Sequence, residues 1–181
     1  MATLPTETRE SIYHFYGISR IGLESGSVWQ FFTYGFIHGG PLHLFLNMFG
    51  LFLLGCPVEK TLGVWRFTLL YFLALIGGAV GQLLLVPNDG FTLIGASGAV
   101  FGVVLAFTTI YRDNKVFVLL FFVLPLSLRA RYLGWLLFGI SLFMVVMRWQ
   151  LDIGHAAHLA GCVIGYLYAR ALGFGGRRKT R

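Results

Sequence analysis

Four polar side chains interrupt stretches that are otherwise apolar: His43, Asn47, Ser97 and His158. A serine hydroxyl is a weak nucleophile until a base takes its proton, and an imidazole within hydrogen-bond reach can do so. Acyl transfer also needs donors aimed at the tetrahedral oxyanion. His43 and Asn47 are spaced i, i+4 and share one helical face, so an imidazole, an amide and the backbone N–H of Ser97 are available for that task. No Asp or Glu lies in these stretches, so Ser97 and His158 would act as a dyad. Taken singly, each residue has a plainer reading. A serine among glycines more often packs helices, and a membrane histidine can be a satisfied core residue or a proton relay. His43 and Asn47 could merely bridge helices. His14 reads as a surface residue, His155 as a boundary residue and Glu59 as an anchor of an inner loop.

The elements that must carry these groups are membrane spans. Of the 181 residues, 57% are hydrophobic and 12% charged, more apolar surface than a soluble domain of this length can hide. Five segments lack Asp, Glu, Lys and Arg: 42–58, 67–86, 93–111, 132–147 and 153–169. Each approaches the roughly 20 residues that cross about 30 Å of hydrocarbon. A sixth apolar run, 116–128, contains Pro125 and is too short to cross, so it is expected to be interfacial or re-entrant. Cys56 and Cys162 lie inside apolar stretches and read as free packing residues, with neither a disulfide framework nor metal-ligand spacing. Residues 1–30 show no signal-peptide pattern.

Orientation follows from the basic residues. With the Leu42 end of the first span outside, eleven of the fourteen Lys and Arg residues fall inside: Lys60, Arg66, Arg112, Lys115, Arg129, Arg131, Arg170, Arg177, Arg178, Lys179 and Arg181. Only Arg9, Arg20 and Arg148 fall outside, as the positive-inside rule asks. The net charge of +7 is thus explained by topology rather than by nucleic acid. The outer connection Pro87-Asn88-Asp89-Gly90 has no basic residue.

With that parity the first, third and fifth spans run the same way. Counted from the expected outer ends, Asn47, Ser97 and His158 lie roughly 6–8 Å below the boundary, with His43 just above them. Polar groups in a bilayer are costly unless paired or set in a wet cavity, and groups at one depth can share one. Gly98 and Gly102 follow Ser97, and Gly161 and Gly165 follow His158. Small residues at this spacing let two backbones approach closely, so the third and fifth spans are expected to touch at the level of the Ser and His.

These residues also carry a family resemblance. The segment from Trp29-Gln30 through His38, His43 and Asn47 resembles the rhomboid signature, a Trp-containing loop followed by H-x-x-x-x-H-x-x-x-N. Gly95-Ala96-Ser97-Gly98 is similar to its GxSG motif, and Ala157-His158-Leu159-Ala160-Gly161 through Gly165 to its AHxxGxxxG helix. Glu59-Lys60-Thr61-Leu62-Gly63 resembles the inner loop. The resemblance covers residues from about Gly17 to Ala171. It implies Ser97 as nucleophile, His158 as general base and acid, and His43 and Asn47 as oxyanion stabilisers. His38 would shape the loop before the first span. Phe101 stands where rhomboids commonly have Tyr on the catalytic histidine; it keeps the ring and loses the hydroxyl. The family has at least six spans, and the five here lack the first, which residues 1–16 do not supply.

The expected fold is an all-α polytopic bundle: a polar segment at 1–28, a membrane domain at 29–172 and a basic cytoplasmic tail at 173–181. The expected function is an intramembrane serine endopeptidase acting on transmembrane segments of other proteins, with the lipid bilayer as its solvent. The resemblance implies no metal and no organic cofactor. A bacterial cytoplasmic membrane is the expected location. The alternative is a non-catalytic rhomboid-like protein that binds transmembrane helices. A transporter path is a third reading, opposed by the apolar inner halves of the spans.

Overall fold

The structure is a computed structural model and describes residues 5–86, 90–120, 124–149 and 153–176. Residues 87–89 and the tail 177–181, which enter the orientation argument above, lie outside the described residues.

The N-terminal segment folds into α1 (Thr6–Tyr16), the short α2 (Arg20–Glu24) and α3 (Gln30–Thr33). Next, α4 (Pro41–Gly50) passes through a π-turn (Leu51–Gly55) into α5 (Cys56–Leu62), giving one continuous helix of 22 residues. Pro41 opens it, where a missing N–H costs nothing. The π-turn falls where Pro57 would meet the Leu53 carbonyl: proline cannot donate to it and its ring crowds it, so the turn widens. Gly63, at φ +80°, separates this helix from α6 (Val64–Leu85), a second helix of 22 residues. These two are long and apolar enough to cross a membrane. The order continues with α7 (Ser97–Ile110), β1 (Lys115–Leu120), β2 (Leu124–Arg129), α8 (Ala130–Val146) and α9 (His155–Ala171).

Two expectations need correction. The fold is mostly helical but not all-α, because 116–120 and 124–128 pair as antiparallel strands, with Lys115 opposite Arg129 and Leu120 opposite Leu124, while 121–123 lie outside the described residues. Val, Phe and Leu suit a strand, Pro125 opposes a helix interior, and pairing the two halves satisfies backbone groups that a short helix would leave open at its ends. The third expected span also begins later. Leu93 exchanges two backbone hydrogen bonds with Ile18, of 3.0 and 2.9 Å, and Gly95 has φ +110°. Helix is therefore excluded before Ser97, which is the first residue of α7 rather than the fifth of a longer span. Likewise His158 lies in the first turn of α9.

Helix α7 is the centre. Eleven of its fourteen residues are buried, so it is surrounded by protein. By contrast α4, α6 and α8 each present large exposed apolar side chains outward, as does the π-turn, among them Phe45, Phe52, Leu69, Leu84, Trp135 and Phe143. Apolar surface of that extent marks contact with a non-aqueous environment. One buried cluster joins Val58, Leu70, Val103, Ala106 and Ala169, and another joins Ile18, Tyr34, Leu75, Ala79, Ala99 and Ala157.

Candidate active site

Glycine decides how closely α7 and α9 approach. A methyl at Gly161 would stand 2.0 Å from the carbonyl oxygen of Gly98, and one at Gly165 would stand 1.9 Å from that of Gly102. Because the numbers rise together on both helices, the two run in the same direction. Helix α6 runs the other way against both: Gly78 faces Ala157 and Gly98, while Ala74 faces Gly102. A methyl at Gly81 would stand 2.4 Å from the Ala160 Cβ. Three backbones thus meet along small residues, and their side chains at the Ser97 end are held with little freedom.

At that end Ser97 Oγ lies 2.7 Å from His158 Nε2. The imidazole lies flat on Phe101, with centroids 4.2 Å apart and planes 7° from parallel, so Phe101 does keep the ring contact. The His155 ring meets His158 edge-on at 5.8 Å. Ser97 and His158 are both half-buried and line a cavity of about 520 Å³ together with His43, Asn47, Phe91 and Ile153. All four residues singled out by type and spacing therefore face one space.

The turn that delivers Ser97 is built by its neighbours. The Gly95 N–H donates to the Tyr34 carbonyl at 2.9 Å, and the Ala96 N–H donates to His38 Nε2 at 3.4 Å. His38 is buried and meets the His43 ring edge-on at 5.1 Å, so the loop before α4 fixes both the turn and His43. A methyl at Gly95 would press on the His43 ring at 2.7 Å. Asn47, buried, donates to the His43 carbonyl at 2.9 Å. Ser97, Gly98 and Ala99 open α7, and the first helical bond is the Val100 N–H to Ala96 O at 3.0 Å. Their own N–H groups have no acceptor within the helix, and the helix dipole makes this end partly positive.

Sequence reasoning missed two supports on other elements. Gln82 on α6 is buried, and its Oε1 accepts from the Ala157 N–H at 3.3 Å, satisfying one of the donors that the first turn of α9 leaves open. Tyr34 is fully buried and its hydroxyl donates to the Leu75 carbonyl at 2.5 Å. Gln82 had a legible signal: it is the only side-chain amide in its span, and such groups are expensive in lipid unless paired. Tyr34 had none, since its role depends on where α6 passes.

A family model for the rhomboid domain matches residues 25–174. The chain belongs to the rhomboid family. Rhomboids are integral membrane proteins, in keeping with the two long apolar helices. The chain is 29% identical over 153 residues to Rhomboid-related protein 1 of Caenorhabditis elegans, a match spanning 79% of this chain and 39% of the worm protein. It is 26% identical over 146 residues to Rhomboid protease GlpG of Haemophilus influenzae, spanning 80% of this chain and 70% of that one. With Rhomboid protease GluP of Bacillus subtilis the figures are 28% over 152 residues, 83% and 27%. This rhomboid chain thus spans less than half of the worm protein and of GluP.

Proposed function

We propose that this rhomboid is an intramembrane serine endopeptidase that cleaves transmembrane segments of other membrane proteins. The observation that carries the reading is the 2.7 Å separation of Ser97 Oγ and His158 Nε2. The pair lies at the N-terminal end of two codirectional helices, in a cavity that His43 and Asn47 on α4 also line.

His158 Nε2 removes the Ser97 proton as Oγ attacks the substrate carbonyl carbon. The oxyanion is held by the Ser97 N–H with His43 and Asn47. The imidazolium then protonates the departing amine, and the acyl group is released by water activated at the same nitrogen. With no carboxylate partner in the spans, the stack on Phe101 and the α6 contacts keep the imidazole in place. A helical peptide bond is shielded by its own hydrogen bonds, so substrates are segments whose first turns unwind readily near the outer face. Five spans cross the bilayer, the shorter α7 through its extended entry at 93–96, where Leu93, Gly95 and Ala96 are buried and Ile94 lines the cavity. The membrane domain is 29–172, with 1–28 on the outer side and 173–181 cytoplasmic, in a bacterial cytoplasmic membrane.

The test is proteolysis of a transmembrane model substrate by purified protein in liposomes. Wild type is expected to cut and Ser97→Ala to bind without cutting. Equal cleavage by both overturns the dyad. Binding by both without any product indicates the non-catalytic reading.

A further inference from the structure

A second cleft lies at the other end of the bundle. Arg112 follows Ser97 by fifteen residues, about 20 Å along a helix at roughly 1.5 Å per residue. Here the end of α7, the start of α8 and the end of α9 surround a space of about 200 Å³ whose walls include Thr109, Arg112, Arg131, Trp135, Tyr166 and Gly175. A Cβ at Gly134 would stand 2.2 Å from Thr108 Oγ1, so α8 is held tightly against α7 and the cleft is a fixed feature.

Its charge is unbalanced. The charged side chains that line the cleft are Arg112 and Arg131; Asp113, on the wall of the neighbouring cavity, is shared by three guanidinium groups, Arg131 at 3.1 Å, Arg112 at 3.8 Å and Arg129 at 3.9 Å. Lys115 stands directly across the hairpin from Arg129, a like-charge pairing that Asp113, shared among three arginines, offsets only in part. Arg112 donates from Nη1 to the Gly175 carbonyl at 2.7 Å, which orients its guanidinium. Arg131 Nε is buried without a hydrogen-bond partner among the described residues, and a buried donor left so costs free energy. The backbones of the two arginines are joined, the Arg131 N–H donating to the Arg112 carbonyl at 3.2 Å.

We propose that this cleft binds the phosphate of an anionic phospholipid of the inner leaflet, with Arg112 and Arg131 as its ligands. Fixed guanidinium donors match phosphate oxygens, and basic pockets between membrane helices on the cytoplasmic side suit lipid headgroups. Lipid is the source rather than free phosphate because Trp135, whose ring lies 5.8 Å from Tyr166, is exposed beside exposed Tyr132 and Leu136. Aromatic rings of this kind lie at headgroup level. The inference rests on the membrane orientation proposed above but not on proteolysis.

The experiment uses the full chain, delipidated and returned to nanodiscs of phosphatidylcholine with a minor share of phosphatidylglycerol, and native mass spectrometry counts the lipid that stays bound. Wild type is expected to prefer phosphatidylglycerol by about tenfold or more, as charge-assisted hydrogen bonds give. Arg112→Gln and Arg131→Gln lose the preference, and Lys60→Gln keeps it. Arg131→Lys retains the charge and fold but lacks Nε, so it loses most of the preference. If Arg131→Lys and Arg112→Gln retain phosphatidylglycerol like wild type, or wild type never discriminates, the site is refuted. If inorganic phosphate displaces the lipid at low millimolar concentration, the lipid assignment fails in favour of a free-phosphate site.

Discussion

Gly161 on α9 touches the backbone of α7 at Gly98, with no room between them for even a methyl group. Everything at the Ser97 end depends on this contact, because a shift of α9 by the width of a methyl would part a 2.7 Å hydrogen bond.

Gly161→Ala and Gly165→Ala are therefore expected to destabilise the bundle by about 1–3 kcal/mol each, the usual cost of overpacking. A methyl at Gly139 on α8 would meet nothing within 4 Å, so Gly139→Ala should instead stabilise by up to about 1 kcal/mol through helix propensity. Thermal unfolding in detergent measures both. Equal effects at the three positions would contradict the packing argument.

Loss of either α4 donor, His43 or Asn47, should reduce cleavage without abolishing binding. His43→Ala and Asn47→Ala are each expected to lower kcat by about 10²–10³-fold, as removal of one oxyanion donor does. Single-turnover cleavage of a bound substrate reads this directly. A change confined to KM would remove them from that role.

Phe101→Ala takes away the surface on which His158 lies, and the expected loss in kcat/KM is roughly 2- to 10-fold, matching about 0.5–1.5 kcal/mol of aromatic contact. Phe101→Tyr keeps the ring and should stay within about twofold of wild type. If both variants behave alike, the stack does not position the imidazole.

Gln82→Met preserves the approximate size of the side chain and removes the acceptor for the Ala157 N–H. The expected cost is about 1–3 kcal/mol, since that donor is buried, with a parallel fall in activity because Ala157 adjoins His158. Unfolding midpoints and cleavage rates of Gln82→Met and Gln82→Glu, the latter able to accept the bond, would separate packing from hydrogen bonding. A Gln82→Met protein as stable and active as wild type would dismiss the support.

Gly95→Ala combines a φ of +110° with a methyl 2.7 Å from the His43 ring. It is expected to abolish cleavage while leaving the helices folded, as circular dichroism would record. Cleavage close to the wild-type rate would mean that the turn tolerates rearrangement.

Much of the bundle could be read from residue types alone. Five uncharged stretches announce apolar helices, because charge in lipid is expensive. The pairing of α7 with α9 is legible because Gly98, Gly102, Gly161 and Gly165 recur every four residues within each helix, the period that places them on one face. Ser97 and His158 stand out as polar groups beside those faces. All of this is local periodicity, which a chain carries before it folds.

The start of α7, the hairpin and the supports at Gln82 and Tyr34 were settled elsewhere. A run from Leu93 to Tyr111 is apolar enough to be one helix, yet Leu93 pairs with Ile18, 75 positions earlier, and that long-range exchange outweighs local propensity. The hairpin likewise exists because its two halves find each other, and Gln82 matters because Ala157 happens to lie opposite it. Periodicity decides which face of a helix is small or polar; which backbone meets that face, and where extension gives way to helix, is decided only when distant segments compete for the same hydrogen bonds and the same space.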